Sequence, residues 1–284
     1  MAEVAVPRAE RSGSHLVVDV EVGDIRQIIA AIAGVATMAR AQGVGPRVLR
    51  DLLPELGAAV RPLPAVVARA VLPAADVIAL STGLAEESRR AVDAVCSAAR
   101  RAGERVLAAI EEAERRGVGA RTRLALQAAC DEAVEVLSHV RSAIELLQRA
   151  SASEPLPVSI GDLLHELDGE VGGEPVDLYV EGDIGVTVAV QPRVATALLV
   201  GALGRVRGST PAKAYRARVT SLAEGRVRVE LDAMAAPIAG KTPLSVPVWT
   251  SAAYDDVVLG LAAASLAAPL GLEPGHARID LLRG

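Results

Sequence analysis

The residues that could do chemistry are few, and none has the spacing of a common enzyme motif. The chain has four histidines and two cysteines: His15, His139, His165, His276, Cys96 and Cys130. His165 precedes Glu166, but Gly169 stands where a zinc-binding H-E-x-x-H motif needs its second histidine. The sequence also contains no G-x-S-x-G elbow and no Walker-type phosphate loop. We therefore expect no metal site and no conventional hydrolase, and we expect the two distant cysteines to be reduced, buried, structural thiols.

Composition and charge exclude several classes of partner. Thirty Lys and Arg against thirty-five Asp and Glu give a net charge of -5, without the basic face that phosphate backbones require. The N-terminus lacks the basic start and apolar core of a signal peptide. The most apolar runs, residues 28–39 and 257–272, are short and Ala-rich, whereas a membrane span needs about 20 strongly apolar residues. We expect a cytoplasmic protein that binds neither nucleic acid nor membrane.

The first part of the chain, residues 1–77, is predicted to be mainly helical. A disordered-looking tail leads into an alternating run, His15–Val22, that could be a strand. Helices are expected over 24–42 and 48–60, and the Pro-containing stretch 61–73 is typical of a connector with a short helix inside it. This part suggests no chemistry.

Residues 78–150 carry the clearest structural signal, a heptad-like seam on each side of a break at 117–119. Apolar and small residues follow one another in steps of three and four: Val92, Val95, Ala99, Ala102, Val106, Ala109 and Ala113 before the break, and Leu126, Cys130, Ala133, Leu137, Val140, Ile144 and Leu147 after it. This spacing predicts two long antiparallel helices.

A lone helical hairpin leaves its apolar seam half open. The first helix presents mainly Ala and Val, which permit close approach, so a second hairpin could complete a four-helix bundle. We therefore predict a homodimer, with residues 1–77 as the competing cover for the seam.

From residue 151 to 284 the pattern changes to short helices mixed with β-rich runs. Residues 176–180 and 186–190 are the clearest of these runs, and they favour an α/β sandwich. The predicted fold class is therefore α+β, with a mostly helical N-terminal part, a long helical hairpin and a C-terminal sandwich. Hydrophobic residues make up 51% of the chain and aromatic residues only 1%, so the core must be built from Ala, Val, Leu and Ile.

The order of elements from about residue 80 onward resembles that of sensor histidine kinases. A helical hairpin is followed by residues 157–164, which open a helix, and by the strand Val-Asp-Leu-Tyr-Val at 176–180. Residues 191–205 are then similar to the family pattern R-x3-V-L-x-N-L-L-x-N-A, with matches at Pro192, Arg193, Leu198 and Leu199. The resemblance implies a dimerisation hairpin followed by a Bergerat-type (GHKL) ATPase-like domain.

The boxes that hold ATP and magnesium in this family are mostly lost. Val200 and Gly204 stand where the two asparagines are expected, and neither can ligate a cation. Asp232 matches the aspartate that accepts the adenine amino group, but Met234 and Ala236 replace the glycines of its D-x-G-x-G box. Outside the resemblance, Asp232 is simply a turn-forming or capping residue after a strand.

The last glycine-rich box keeps only Gly260, which could also be a packing glycine. Asp255 and Asp256 precede it and would oppose a triphosphate by several kcal/mol where screening is poor. We expect no ATP and no other cofactor. What remains is a remnant pocket formed by Asp232, Met234, Gly260 and Gly204.

A histidine kinase carries its phosphorylated His on an exposed face of the first bundle helix, usually followed by an acidic residue. No His lies between residues 81 and 116, so the candidate is His139 in the second helix, outside the seam of Leu137 and Val140. Arg141 could help to hold a phosphoryl group there. The alternative is that His139 is an ordinary surface histidine, since Val140 follows it in place of an acid.

Together these features predict a non-catalytic histidine-kinase-like adaptor or scaffold in bacterial signal transduction, which binds a partner such as a response-regulator receiver domain. One alternative is a histidine phosphotransferase that relays phosphoryl groups through His139. The other is a small-ligand sensor that uses the remodelled nucleotide pocket.

Overall fold

The computed structural model describes residues 11–151, 154–167, 174–248 and 256–284. It divides into two compact units. The first unit comprises Met1–Pro73 and Val92–Ile144, and the second comprises Ala74–Ala91 and Glu145–Gly284. The fold class is α+β, as predicted: a long helical part precedes a mixed sheet.

The first three helices differ from the sequence prediction. Helix α1 spans Arg11–Arg40, α2 spans Pro46–Val60 and α3 spans Leu63–Thr82. The strand predicted over His15–Val22 is wrong, because these residues are part of helix α1. A helix pairs its backbone groups within the segment, whereas a lone strand leaves them unpaired. The predicted connector is also wrong, since most of residues 61–73 belongs to the 20-residue α3.

The predicted hairpin is confirmed as helices α4 (Ala85–Arg116) and α5 (Ala120–Ser151), separated at 117–119. The seam is buried in both helices, with one shift of register. In α4, Ala91 and Ile110 are buried, while Val92 and Ala109 beside them are only half-buried. Two predicted seam positions in α4, Val92 and Ala109, are thus replaced by their neighbours Ala91 and Ile110.

Within the first unit, the hairpin is covered by the N-terminal helices of the same chain. A Cβ at Gly103 of α4 would lie 3.4 Å from Leu63 and 3.5 Å from Val60, so α4 packs closely on α2 and α3. On the other side, Arg40 of α1 makes two hydrogen bonds to Asp131 of α5, at 2.7 and 2.8 Å. The first segment, named above as the competing cover, thus closes the seam. A homodimer is no longer needed to bury it and stays a prediction.

Among the described residues, one stretch is long and apolar enough to cross a membrane. It spans Pro46–Thr82 and contains α2 and α3. Its most apolar 18 residues have a mean hydropathy of 1.8, and 44% of that segment is buried inside the protein. This is weak evidence, because a core helix passes the same test. Leu63, Val67 and Val71 are fully buried, as they are in a core helix.

The second unit is built on a six-stranded sheet with the strand order β6-β2-β4-β5-β8-β7. The strands are β1 (Leu156–Ser159), β2 (Glu174–Gly182), β3 (Thr187–Val190), β4 (Ala214–Ser221), β5 (Arg226–Met234), β6 (Leu244–Val248), β7 (Leu270–Glu273) and β8 (His276–Leu282). Strands β1 and β3 form a separate antiparallel pair. Only the β2–β4 pairing of the large sheet is parallel. The strands predicted over 176–180 and 186–190 are thus confirmed.

Three helices accompany the sheet: α6 (Ile160–Glu166), α7 (Pro192–Ser209) and α8 (Asp256–Ser265). Helix α7 makes the crossover between the parallel strands β2 and β4, and its N-terminus is capped by Gln191, which accepts a hydrogen bond from the Val194 amide. It contacts α6, α8 and four strands of the large sheet. Because it is surrounded in this way, α7 is buried along most of its length.

The large sheet has one apolar and one polar face. Alternate residues of β4, β5 and β8 are almost fully buried: Tyr215, Ala217, Val219, Val227, Val229, Leu231, Ala277, Ile279 and Leu281. Side chains alternate between the two sides of a strand, so these residues share the face that packs against the apolar helices. The residues between them, which are mostly charged, form the opposite side, called the polar face below.

Candidate functional site

The polar face brings together charged residues that lie far apart in the sequence. The antiparallel register places Arg216 of β4 opposite Asp232 of β5, and Asp232 opposite His276 of β8. Side chains at opposite positions on neighbouring strands are within reach of one another. The row Arg216–Asp232–His276 is therefore a direct result of strand register.

Both carboxylate oxygens of Asp232 are engaged in this row. Arg216 donates from Nη2 to Oδ2 over 2.8 Å, and His276 Nδ1 lies 2.8 Å from Oδ1. Partial burial raises the pKa of Asp232, but the hydrogen bonds from Arg216 and His276 outweigh it and hold the pKa below its usual value. An ionised carboxylate only accepts hydrogen bonds, so Nδ1 of His276 carries the proton.

A second pair on the same face is more deeply buried. Asp280 of β8 is 7% exposed and accepts two hydrogen bonds from the Arg228 guanidinium, at 2.8 and 2.9 Å. These bonds hold the pKa of Asp280 below its usual value and outweigh the opposing effect of burial. Such a bidentate pair fixes both side chains and is geometrically more specific than a single ion pair.

The residues proposed for a remnant nucleotide pocket do not surround one pocket. Asp232 and Met234 alternate with the buried Leu231 in β5, which puts them on the polar face. Gly204 lies in the buried helix α7, which packs on the opposite face. Gly260 is half-exposed in α8, and a Cβ there would meet no atom within 4 Å. Packing therefore does not require glycine at that position.

Asp232 also does not serve the structural role considered from the sequence. It lies inside β5 and not in a turn or at a helix cap. Its partners, Arg216 and His276, were not singled out by the sequence. A signal for them existed: charged or polar residues alternate with apolar ones in all three strands. Only the register shows which of these residues meet.

The positions expected near magnesium and triphosphate hold other contacts. Val200 is 9% exposed within α7, beside the buried Gly204, and offers no oxygen ligand. Asp256, in the first turn of α8, forms an ion pair with Arg205 of α7, with an Nη2–Oδ2 distance of 2.9 Å. Asp255, expected to oppose a triphosphate, lies outside the described residues.

His139 lies in α5 beside the seam, as predicted, since Leu137 and Val140 on either side of it are buried. Its side chain is half-buried. Burial lowers the pKa of His139, while the charge of Glu135, one helical turn earlier, raises it and only partly compensates. The imidazole is therefore kept neutral near pH 7. Arg141 is half-buried as well.

The positions of the other two histidines, His165 and His15, say less about function. His165 is exposed in the short helix α6, next to the buried Leu164. His15 lies in α1, and its side chain is outside the described part of the structure. The described residues contain no cluster of three His, Cys, Asp or Glu side chains that could hold a metal ion.

Comparisons with known proteins give similarity in fold only. No family model matches the chain, and no curated protein matches it. Among solved structures, full-length ShkA, a histidine kinase, in complex with AMPPNP is 15% identical, with a TM-score of 0.37, over 64% of this chain and 42% of the ShkA chain. The present chain thus spans less than half of that kinase.

A bacterial phosphotransferase solved at 1.7 Å is 13% identical, with a TM-score of 0.31, over 70% of this chain and 96% of that chain. The two solved structures are of the kind that the sequence resemblance named. Their TM-scores lie below 0.5, so neither carries an argument about activity.

Proposed function

We propose that the chain is a non-catalytic, histidine-kinase-like adaptor in bacterial signal transduction, with a response-regulator receiver domain as its partner. The observation that supports this function is the state of Asp232. The adenine amino group needs a free carboxylate oxygen, but both oxygens of Asp232 are held by Arg216 and His276. Binding adenine there would compete with one of these charge-assisted hydrogen bonds, worth about 1.5–3 kcal/mol.

The other positions aligned with the nucleotide-binding boxes support the same conclusion. In α7, Val200 and Gly204 offer no magnesium ligand. Asp256 is neutralised by Arg205 and is not available to a cation without loss of that ion pair. Among the described residues, those aligned with the nucleotide-binding boxes offer neither adenine nor magnesium contacts, which favours a part in signalling that consists of binding a partner.

The outer surface of the hairpin is the proposed docking surface. The apolar seam is closed by α1–α3 of the same chain, which leaves a polar, charged surface for a partner. Arg101 and Glu104 of α4 are exposed there. Complementary charges on two proteins raise the association rate and fix the docking register.

The adaptor function is tested by incubating the full chain with a panel of phosphorylated receiver domains and following co-elution and the phosphoryl label. We expect one receiver to co-elute without transfer of label. A charge-reversed variant, Arg101→Glu with Glu104→Arg, should lose this co-elution. Arg69→Glu is the matched control, because Arg69 is also exposed but lies on α3. If no receiver co-elutes with the wild type, the adaptor proposal fails.

Calorimetry with magnesium and ATP tests the loss of nucleotide binding directly. We expect no binding heat at millimolar ATP. Saturable binding in the micromolar range would contradict the reasoning from Asp232, whatever the outcome with receivers.

A second candidate function is phosphoryl relay through His139, which its environment favours. Because burial lowers the pKa of His139, the imidazole is held in its neutral, nucleophilic form near neutral pH. It could attack the aspartyl phosphate of a receiver, with the carboxylate as leaving group. In the same experiment, label on the chain that disappears in His139→Ala would support relay, while co-elution without label would support the adaptor. The small-ligand sensor has less support, because its four residues do not share a pocket.

A further inference from the structure

The Asp232–His276 pair has the geometry of an oriented nucleophile. Asp232 fixes the imidazole through Nδ1 and is itself fixed by Arg216, so the lone pair of His276 is on Nε2. The His276 side chain is 34% exposed, and Nε2 has no hydrogen-bond partner among the described residues. We propose that His276 is a phosphoryl-accepting site of this chain.

The surroundings of His276 offer one cation to the phosphoryl oxygens. Arg278 lies two positions further along β8 and therefore on the same face. Its guanidinium lies over Gly271, whose added Cβ would be 3.8 Å from both Nε and Nη2, and it forms no ion pair with the described residues. Glu273, opposite His276 on β7, is the acidic group on the other side. Its charge opposes the phosphoryl group, and Arg278 offsets it.

The chemical step needs only a phosphoryl donor. Nε2 of His276 attacks the phosphorus of an acyl phosphate, the N–P bond forms, and the P–O bond to the carboxylate breaks with its electron pair. The proton on Nδ1 remains in its hydrogen bond to Asp232. The product ring carries more positive charge than the neutral imidazole, and the adjacent carboxylate stabilises that charge. Asp232 is therefore a positioning residue, and His276 is the residue that accepts the phosphoryl group.

The carboxylate contact to Nδ1 distinguishes the ring of His276. His165 is exposed on a short helix, without a partner that fixes one ring nitrogen among the described residues. His139 and His276 are both half-buried, but the ring of His276 is the one that Asp232 holds through Nδ1. The orientation of the ring thus distinguishes His276 from both.

The experiment uses the full chain and phosphoramidate, a small phosphoryl donor from which ammonia leaves when Nε2 attacks. Incorporation is followed by intact mass, and the site by ³¹P NMR and peptide mapping at alkaline pH. We expect labelling of the wild type on Nε2 and its loss in His276→Gln. His165→Gln is the control and should label His276 at the wild-type rate. No receiver is present, so the outcome is independent of the adaptor proposal.

Two further variants separate orientation from folding. Asp232→Asn keeps an oxygen acceptor for Nδ1 but loses the charge, which should slow labelling on the order of tenfold. Asp232→Ala removes the acceptor and should be slower still, so the conservative variant rescues part of the rate. Circular dichroism establishes that both are folded. Absence of labelling in the folded wild type, or label that persists in His276→Gln, would overturn the proposal.

Discussion

Arg123 is the side chain whose removal should most clearly weaken the contact between α1 and the hairpin. It reaches from α5 to the C-terminal end of α1 and the turn after it. Nε donates to the Ala39 carbonyl over 2.5 Å and Nη1 to the Val44 carbonyl over 2.9 Å. Nη2 donates to the carbonyls of Met38 and Ala41. One guanidinium thus bonds to four carbonyls, two in the last turn of α1, where intrahelical partners are absent, and two in the turn that follows.

The expected loss in Arg123→Ala is about 3 kcal/mol in the free energy of unfolding of the first unit. Hydrogen bonds from a charged group contribute about 1.5–3 kcal/mol each, and a cation at a helix C-terminus adds about 0.3–1 kcal/mol. Arg123 is only half-buried, so water replaces part of the lost bonds, and the sum of four full contributions would overestimate the effect. A loss of about 3 kcal/mol corresponds to a decrease in Tm of roughly 6–12 °C.

Urea unfolding monitored by circular dichroism measures the loss, and native-state hydrogen exchange shows where it acts. The amides near residues 38–44 should lose protection first. Arg123→Lys keeps the charge but not the planar fork of donors, so we expect an intermediate loss. Arg121→Ala is the matched control, because Arg121 is exposed two residues earlier on the same helix.

The capping role of Arg123 would be refuted if the free energies of unfolding of Arg123→Ala and Arg121→Ala lay within about 0.5 kcal/mol of each other, the range of ordinary surface substitutions. It would also be refuted if Arg123→Ala were destabilised while exchange near residues 38–44 stayed unchanged. In that case, the contribution of Arg123 would lie elsewhere than in capping α1.

Three other predictions concern the second unit and the thiols. Gly182→Ala should abolish folding of the sheet, because Gly182 has φ +101° and an added Cβ would collide with the backbone of β4. Gly225→Ala is the control: Gly225 has φ +66° but free space around it, so the free energy of unfolding in urea should fall by only about 1–2 kcal/mol. Asp280→Asn should be about 3 kcal/mol less stable at pH 7, since it breaks a buried pair with Arg228. The pKa of Asp280 is lowered in the folded state, so its contribution to stability is present above about pH 4 and is lost as the pH falls through the lowered pKa. The free energy of unfolding of the wild type should therefore decrease more steeply below pH 4 than that of the variant. Equal pH dependence of the two proteins would contradict this. Burial raises the pKa of Cys130 to about 12, so iodoacetamide at pH 8 should modify it only after unfolding, and rapid modification of the native protein would exclude the buried position.

Much of the second unit could be predicted from local sequence pattern. The runs at 176–180 and 186–190 became β2 and β3, and the stretch 191–205 became α7. These segments have strong hydrophobic patterns and clear boundaries, such as Pro192 at the first position of its helix. The strand predicted over His15–Val22 failed because alternation over eight residues does not show whether a neighbouring strand is present.

The candidate site could be predicted only in part. Asp232 was recognised as a chemically interesting residue, but its partners Arg216 and His276 lie 16 and 44 positions away. A shift of one residue in strand register would send either side chain to the opposite face. No local pattern contains that information.

The sequence by itself determined the helical hairpin and its seam, because a period of three and four residues is a local property of the chain. It also predicted the loss of nucleotide-binding residues, since Val200 and Met234, aligned with the family's boxes, cannot do the chemistry of asparagine and glycine. Only the tertiary structure decided what covers the seam and which charges meet on the sheet. Both depend on contacts between distant segments: Arg40, Val60 and Leu63 of the N-terminal helices contact the hairpin, and the register of β4, β5 and β8 joins Asp232 to its two partners.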